Sequence, residues 1–387
     1  MTLTQAARAA AVPPFHAMAM SRAASEREAA GHEVLHLEVG QPATSAPALA
    51  RQAAVAAIER GDALGYTNAA GLMSLRRRIA RHYREWYQAD LDPASIAVVA
   101  GASAGFTLAF AAAFDAGDRV GVIEPGYPCY RNTLLALGIE PVAIAVDAST
   151  RWAPSVELLE AAGRLDGLIV ASPSNPTGTV LSADALGDIA AWCESSAVQL
   201  ISDEIYHGIV YDGRADTALN WSDSAIVVNS FSKYWSMTGW RLGWMVVPRH
   251  LHDTVERLQQ NLYICAPHVS QVAGTAAFDC ADELDANVAR YRANRSVLLS
   301  GLAGAGLTDV APADGAFYVY ADVEHLVTQV GGDSMQLCTR WLHELGLACT
   351  PGLDFDLQRG THTVRFSYAG DAADLHRACE RIAGWAP

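Results

Sequence analysis

Residues 167–178 read GLIVASPSNPTG, residues 199–206 read QLISDEIY, and residues 226–233 read IVVNSFSK. Each is a short, largely β-branched run that ends in polar residues. Asn175, Asp203 and Lys233 follow the three runs at intervals of 28 and 30 residues, room enough for one crossover unit between parallel strands. Taken singly, each polar end is ordinary: a rigid proline turn around Asn175, a helix cap at Asp203. Taken together they bring an amide, a carboxylate and an amine to one rim. That rim lies beyond the carboxyl ends of the strands, where ligands of open parallel sheets bind.

The same alternation extends upstream. Strands are predicted over 96–99, 120–123 and 142–146, with amphipathic helices over 105–114, 130–137, 156–162 and 183–193. A further apolar run covers 242–247. Such a pattern specifies a mainly parallel sheet with helices on both faces. The character changes near residue 281, where a long helix over 283–302 puts Arg290, Arg292 and Arg295 on its outer side. A strand over 316–321, a helix over 335–345, a strand over 363–367 and a final helix complete a smaller α+β unit. No linker rich in Pro, Gly or Ser separates the two parts.

Composition narrows the function. The chain has 387 residues with a formal net charge of −15, which argues against a nucleic-acid partner because phosphates need a basic face. The triplet Arg76, Arg77 and Arg78 is read as helix surface. Seven scattered cysteines without a C-x-x-C pair suit reduced thiols in a cytoplasm, and twelve histidines show no H-E-x-x-H spacing, so no metal site is expected. The amino-terminal stretch lacks an apolar core of signal-peptide type, and the most apolar internal stretch ends at Asp115, too short to span a membrane.

The segments SPSNPTG, SDEIY and SFSK followed by GWRLGW resemble the class I/II aminotransferases among the fold-type I pyridoxal-phosphate enzymes. The likeness runs from Pro14-Phe15 and Val39-Gly40-Gln41-Pro42 to Val364-Arg365-Phe366-Ser367. It implies an α/β fold with a mainly parallel sheet of the seven-stranded type. It also implies a large domain over 43–280 and a small α+β domain built from 1–42 and 281–387. Lys233 would hold pyridoxal 5'-phosphate as a Schiff base and move the substrate Cα proton, which requires partial desolvation of the amine. Asp203 would bind the pyridine nitrogen, Asn175 and Tyr206 the phenolic oxygen, and Tyr127 would stack on the ring. Ala102 and Ser103 at a helix start, with Ser230, Ser232 and Arg241, would hold the phosphate. Tyr66 would reach the phosphate of a neighbouring subunit, which makes a homodimer with shared sites. Arg365, helped by the Gly40 amide, would grip the α-carboxylate of an amino acid or 2-oxo acid.

The rivals are fewer. Other reactions on the same scaffold, such as β-elimination, decarboxylation or cyclisation, share these residues. Gly101-Ala102-Ser103-Ala104-Gly105 also satisfies G-x-S-x-G, the elbow of a serine hydrolase with Ser103 as nucleophile. A DNA-binding sensor built on this fold would need a module before it, and the fold's own pattern starts by about residue 13. For substrate choice, Arg131 is a candidate second cation for a dicarboxylate, although its helix-start position reads as solvent-facing. Phe15, Trp240 and Tyr263 are candidates for an apolar pocket.

Overall fold

The computed structural model describes residues 4–386; residues 1–3 and 387, the outermost parts of the expected small domain, lie outside the described residues. The strands are β1 (Leu35–His36), β2 (Ile96–Val99), β3 (Arg119–Glu124), β4 (Glu140–Ala145), β5 (Gly167–Ala171), β6 (Gln199–Asp203), β7 (Ile226–Ser230), β8 (Gly243–Val246), β9 (Tyr318–Asp322), β10 (Leu347–Ala348), β11 (Thr350–Pro351) and β12 (Thr363–Ser367). A seven-stranded sheet runs β2-β8-β7-β6-β5-β3-β4. Its pairs from β7 to β4 are parallel, and β8 lies antiparallel to both β2 and β7. Both faces carry packed apolar cores, as the unbroken burial of β2, β7 and β8 requires. The expected sheet is therefore present, with one reversed strand. A three-stranded sheet, β11-β12-β9, and the parallel pair β1-β10 lie outside it.

Local chemistry fixes the crossover helices. Helix Pro128–Leu137 starts on a proline, which suits the first turn, and ends at Gly138 with φ +81°, a left-handed cap that glycine takes without strain. Ser182 caps helix Ala183–Ser195 by accepting from the Ala185 amide at 3.2 Å. The link from β6 to β7 departs from the helical alternation, holding one short 3-10 turn, Ala218–Asn220. The buried Glu204 carboxylate organises this link, accepting from Thr217 Oγ1 and the Ala218 amide, each at 2.9 Å. A side-chain acceptor thus takes up one backbone donor and one hydroxyl in this link.

Two arginine readings are corrected. Arg131 is buried, pairs with Glu124 at 2.7 Å and donates to the Asp354 carbonyl at 3.1 Å. A carboxylate at the end of β3 draws it inward. Arg295, expected on the outer side of helix Ala281–Gly304, donates to the carbonyls of Ala313 and Pro312, while Arg292 stays exposed.

Burial pushes the Glu124 carboxyl up against the pull of Arg131. Replacing Arg131 by Met should leave that carboxylate unpaired and cost roughly 3–5 kcal/mol in urea unfolding. Adding Glu124→Gln should recover most of the loss. If Arg131→Met unfolds like the wild type, the pair is not structural.

Candidate active site

The carboxyl ends of the parallel strands and the start of β8 share one rim. β2 ends at Val99 and runs through Gly101 into helix Ala102–Ala113; β3 leads to Tyr127, β5 to Asn175, β6 ends on Asp203, and β7 leads to Lys233. Because β8 runs the other way, Arg241, two residues before its start, arrives at the same rim. A cavity of about 240 Å³ opens there, lined among others by Gly40, Tyr127, Asn175, Asp203, Tyr206, Lys233 and Arg365. Seven of the residues expected to hold cofactor or substrate therefore meet in one space.

Their contacts are specific. Lys233 Nζ donates to the Gly40 carbonyl at 2.7 Å and lies 5.7 Å from the centre of the Tyr206 ring. Gly40 thus meets Lys233 through its carbonyl. Lys233 is pulled down to about 8, first by burial and then by Arg365. It is also the chain's one lysine. Asp203 is buried and held up at about 6 by that burial, against the hydroxyl of Tyr130 and the Ile205 amide, which both favour the carboxylate. Arg365 donates through Nη1 to Asn175 Oδ1 at 2.9 Å and through Nη2 to the Glu38 carbonyl at 2.6 Å. Its guanidinium lies 4.3 Å from the centre of the Tyr318 ring and 4.8 Å from that of Phe355. The Nε of Arg365 is buried with no acceptor among the described residues.

A second set forms a cradle beside the cavity. At the start of helix Ala102–Ala113 the Ala102 and Ser103 amides belong to the first turn, which has no intrahelical acceptors. Gly101 has φ +86°, and a Cβ there would lie 2.4 Å from Arg241 Nη2, so only glycine lets the guanidinium settle against the helix start. Ser230 Oγ donates to Ser232 Oγ at 2.9 Å. A helix N-terminus, hydroxyls and an arginine are the donor set that a phosphate ester takes. Arg241 lines an open groove that shares Thr238 with the cavity. Tyr66 is apart from both, 82% exposed, in a groove with Cys265 and His268.

Three contacts had no sequence signal. The Tyr130 hydroxyl donates to Asp203 Oδ2, the Tyr318 hydroxyl meets that of Tyr206 at 2.7 Å, and a Cβ on Gly40 would collide with Tyr318. Of the candidates for an apolar pocket, Phe15 lines the cavity edge-on to Tyr127, Trp240 lines the groove, and Tyr263 packs on the core. Ser103 is exposed at its helix start and does not line the cavity, and among the described residues no histidine lines the cavity either.

Asp203 gives a pH signature. Its folded value of about 6 exceeds the ordinary 3.8, so the native state binds more protons between them and stability falls as pH rises through that window. Tyr130→Phe removes a donor to the charged form. The window should extend above 6, and the variant should lose about 1–3 kcal/mol on its alkaline side. Denaturant unfolding of wild type and variant at pH 4 to 8 measures the difference; a constant gap across that range would contradict it.

Residues 32–382 match the family model described as "Aminotransferase class I and II". The chain is 47% identical over 383 residues to the valine–pyruvate aminotransferase of Mycobacterium tuberculosis, covering 98% of this chain and 97% of that one. A crystal structure of an aminotransferase from Mycobacterium tuberculosis superposes with a TM-score of 0.95 at 46% identity over 99% of both chains. The aspartate aminotransferase of Thermus thermophilus, solved with maleate, gives 0.91 at 28% identity, again over 99% of both. With the fold and the cavity set beside these likenesses, the chain belongs to the class I and II aminotransferases, fold-type I enzymes that use pyridoxal 5'-phosphate.

Proposed function

We propose that this aminotransferase moves an amino group between an aliphatic α-amino acid and a 2-oxo acid, valine and pyruvate being the pair in the name of the Mycobacterium tuberculosis relative. The observation that carries the reading is the make-up of the cavity. Its cations are Lys233 and Arg365, and its remaining wall includes Phe15, Ala17, Met18 and Val39. One arginine suits one carboxylate, and apolar walls suit an aliphatic side chain. A dicarboxylate would want a second cation, and Arg131 is committed to Glu124.

The donor set of the cradle fits the phosphate of pyridoxal phosphate, with Ala102, Ser103, Ser230, Ser232 and Arg241 as its holders. When bound, the cofactor supplies a carbonyl for amino-group exchange and an electron-withdrawing ring. The chain's own groups do the rest. Lys233, with its lowered affinity for protons, anchors the cofactor and carries the proton lost from the substrate Cα. Asp203, oriented by Tyr130 and the Ile205 amide, would accept from the ring nitrogen. Tyr127 would cover the ring, and Asn175 and Tyr206 would hold its phenolic oxygen. Arg365, which lines the cavity, receives the substrate carboxylate.

The wider setting follows the same reading. Exposed Tyr66 reaches a neighbouring subunit's phosphate in a homodimer. Residues 43–280 form the large domain, and 1–42 with 281–387 the small one. Supporting this division, the seven-stranded sheet is drawn from 96–246 and the other sheets from 35–36 and 318–367. The enzyme works in the cytoplasm, in keeping with its seven free cysteines; no helix among the described residues is long and apolar enough to cross a membrane.

The test is a donor panel with pyruvate as acceptor. Valine should exceed aspartate in kcat/KM by about a hundredfold, since about 1.4 kcal/mol is tenfold and an unpaired buried carboxylate costs more. Arg365→Lys should raise KM for valine about a hundredfold and leave the cofactor's absorbance intact. Aspartate equal to valine, or an unaltered KM, would overturn the assignment.

A further inference from the structure

The wall formed by Phe15, Ala17 and Met18 belongs to the start of helix His16–Ala29, and that start has no cap of its own. Phe15 occupies the cap position and offers no side-chain acceptor. The orphan amides are satisfied from far along the chain instead. His16 N donates to Asp354 Oδ1 and Ala17 N to Asp354 Oδ2, each at 2.7 Å, across more than three hundred residues. Asp354 is 2% exposed, so these are charge-assisted bonds shielded from water. We propose that Asp354 is a specificity-determining positioning residue, whose carboxylate holds the amino-terminal segment at the cavity mouth and so sets which substrate side chains are accepted.

The surroundings of Asp354 support more than a local cap. Its carbonyl accepts from Arg131 at 3.1 Å, and Arg131 is in turn locked to Glu124 at the end of β3. The next residue, Phe355, accepts the Gly126 amide at 2.9 Å beside Tyr127, and its ring packs on the Arg365 guanidinium. One turn of chain, 352–355, therefore joins three parts of the cavity: the amino-terminal wall, the Tyr127 loop and the carboxylate-binding arginine. Loss of the Asp354 carboxylate frees the wall, while the other two contacts run through backbone and ring and survive. Discrimination between side chains should suffer while the reacting groups keep their places.

This inference rests on the aliphatic reading only for the choice of substrates. The experiment compares wild type, Asp354→Ala and Asp354→Asn, the last keeping one acceptor. Two measurements are made on the holoenzyme: hydrogen exchange of the segment containing His16 and Ala17, and the kcat/KM ratio of the wild type's best aliphatic donor to alanine. Asp354→Ala should speed exchange in that segment alone and lower the ratio about tenfold through KM, with kcat and cofactor absorbance near wild type. Asp354→Asn should fall between. Faster exchange with an unchanged ratio overturns the proposal, as does an equal fall in kcat for both donors. Should aspartate prove the best donor, the aliphatic reading fails by itself. The latch is then judged by the same ratio taken for aspartate against alanine.

Discussion

Two cations, Lys233 and Arg365, line one cavity together with Asp203, and the rest of the site is an answer to their closeness. Burial and the Arg365 guanidinium lower the tendency of Lys233 to stay charged, and Asp203 pulls the other way. The lysine yields, falling to about 8 and leaning on the Gly40 carbonyl. The arginine cannot yield, so it is wrapped in acceptors and π faces: Asn175, the Glu38 carbonyl, Thr350, Tyr318 and Phe355. A cavity of this kind attracts anions. A carboxylate against Arg365 restores the balance while the amine stays available, and that pairing defines an amino acid or 2-oxo acid.

Delivery of these groups is a property of the sheet. Parallel strands send their carboxyl ends to one rim, and the reversed β8 adds Arg241 by its beginning. The two smaller sheets carry Arg365 on β12 and lead into Gly40 from β1, so the substrate-facing wall belongs to both ends of the chain. Contacts such as Arg365 to Glu38, 327 positions apart, hold those ends together.

What could be read from the sequence follows from this geometry. Asn175, Asp203 and Lys233 were legible because each sits directly after an apolar run, and the topology of a parallel sheet does the convergence. Several strand and helix bounds, among them β5 and β12, coincide with the reading. Partners that depend on tertiary approach were not legible. Tyr130 meets Asp203 across 73 positions and Tyr206 meets Tyr318 across 112, and nothing local marks either tyrosine. Arg131 looked like a surface residue because its partner, seven positions away, lies on a strand rather than on the same helix. The start of helix His16–Ala29 has no local side-chain cap, and its cap lies far along the chain at Asp354.

The central claim is that burial beside Arg365 turns Lys233 into an amine available near neutral pH. Because the chain has one lysine, it can be measured without interference from others. In cofactor-free protein, the rate of acetylation at Lys233 is followed against pH by peptide mass spectrometry, which separates it from the amino terminus. The account predicts a half-maximal rate near pH 8, with the plateau above it. A midpoint near the ordinary 10.5 would show a lysine neither desolvated nor crowded by charge, and would contradict the account.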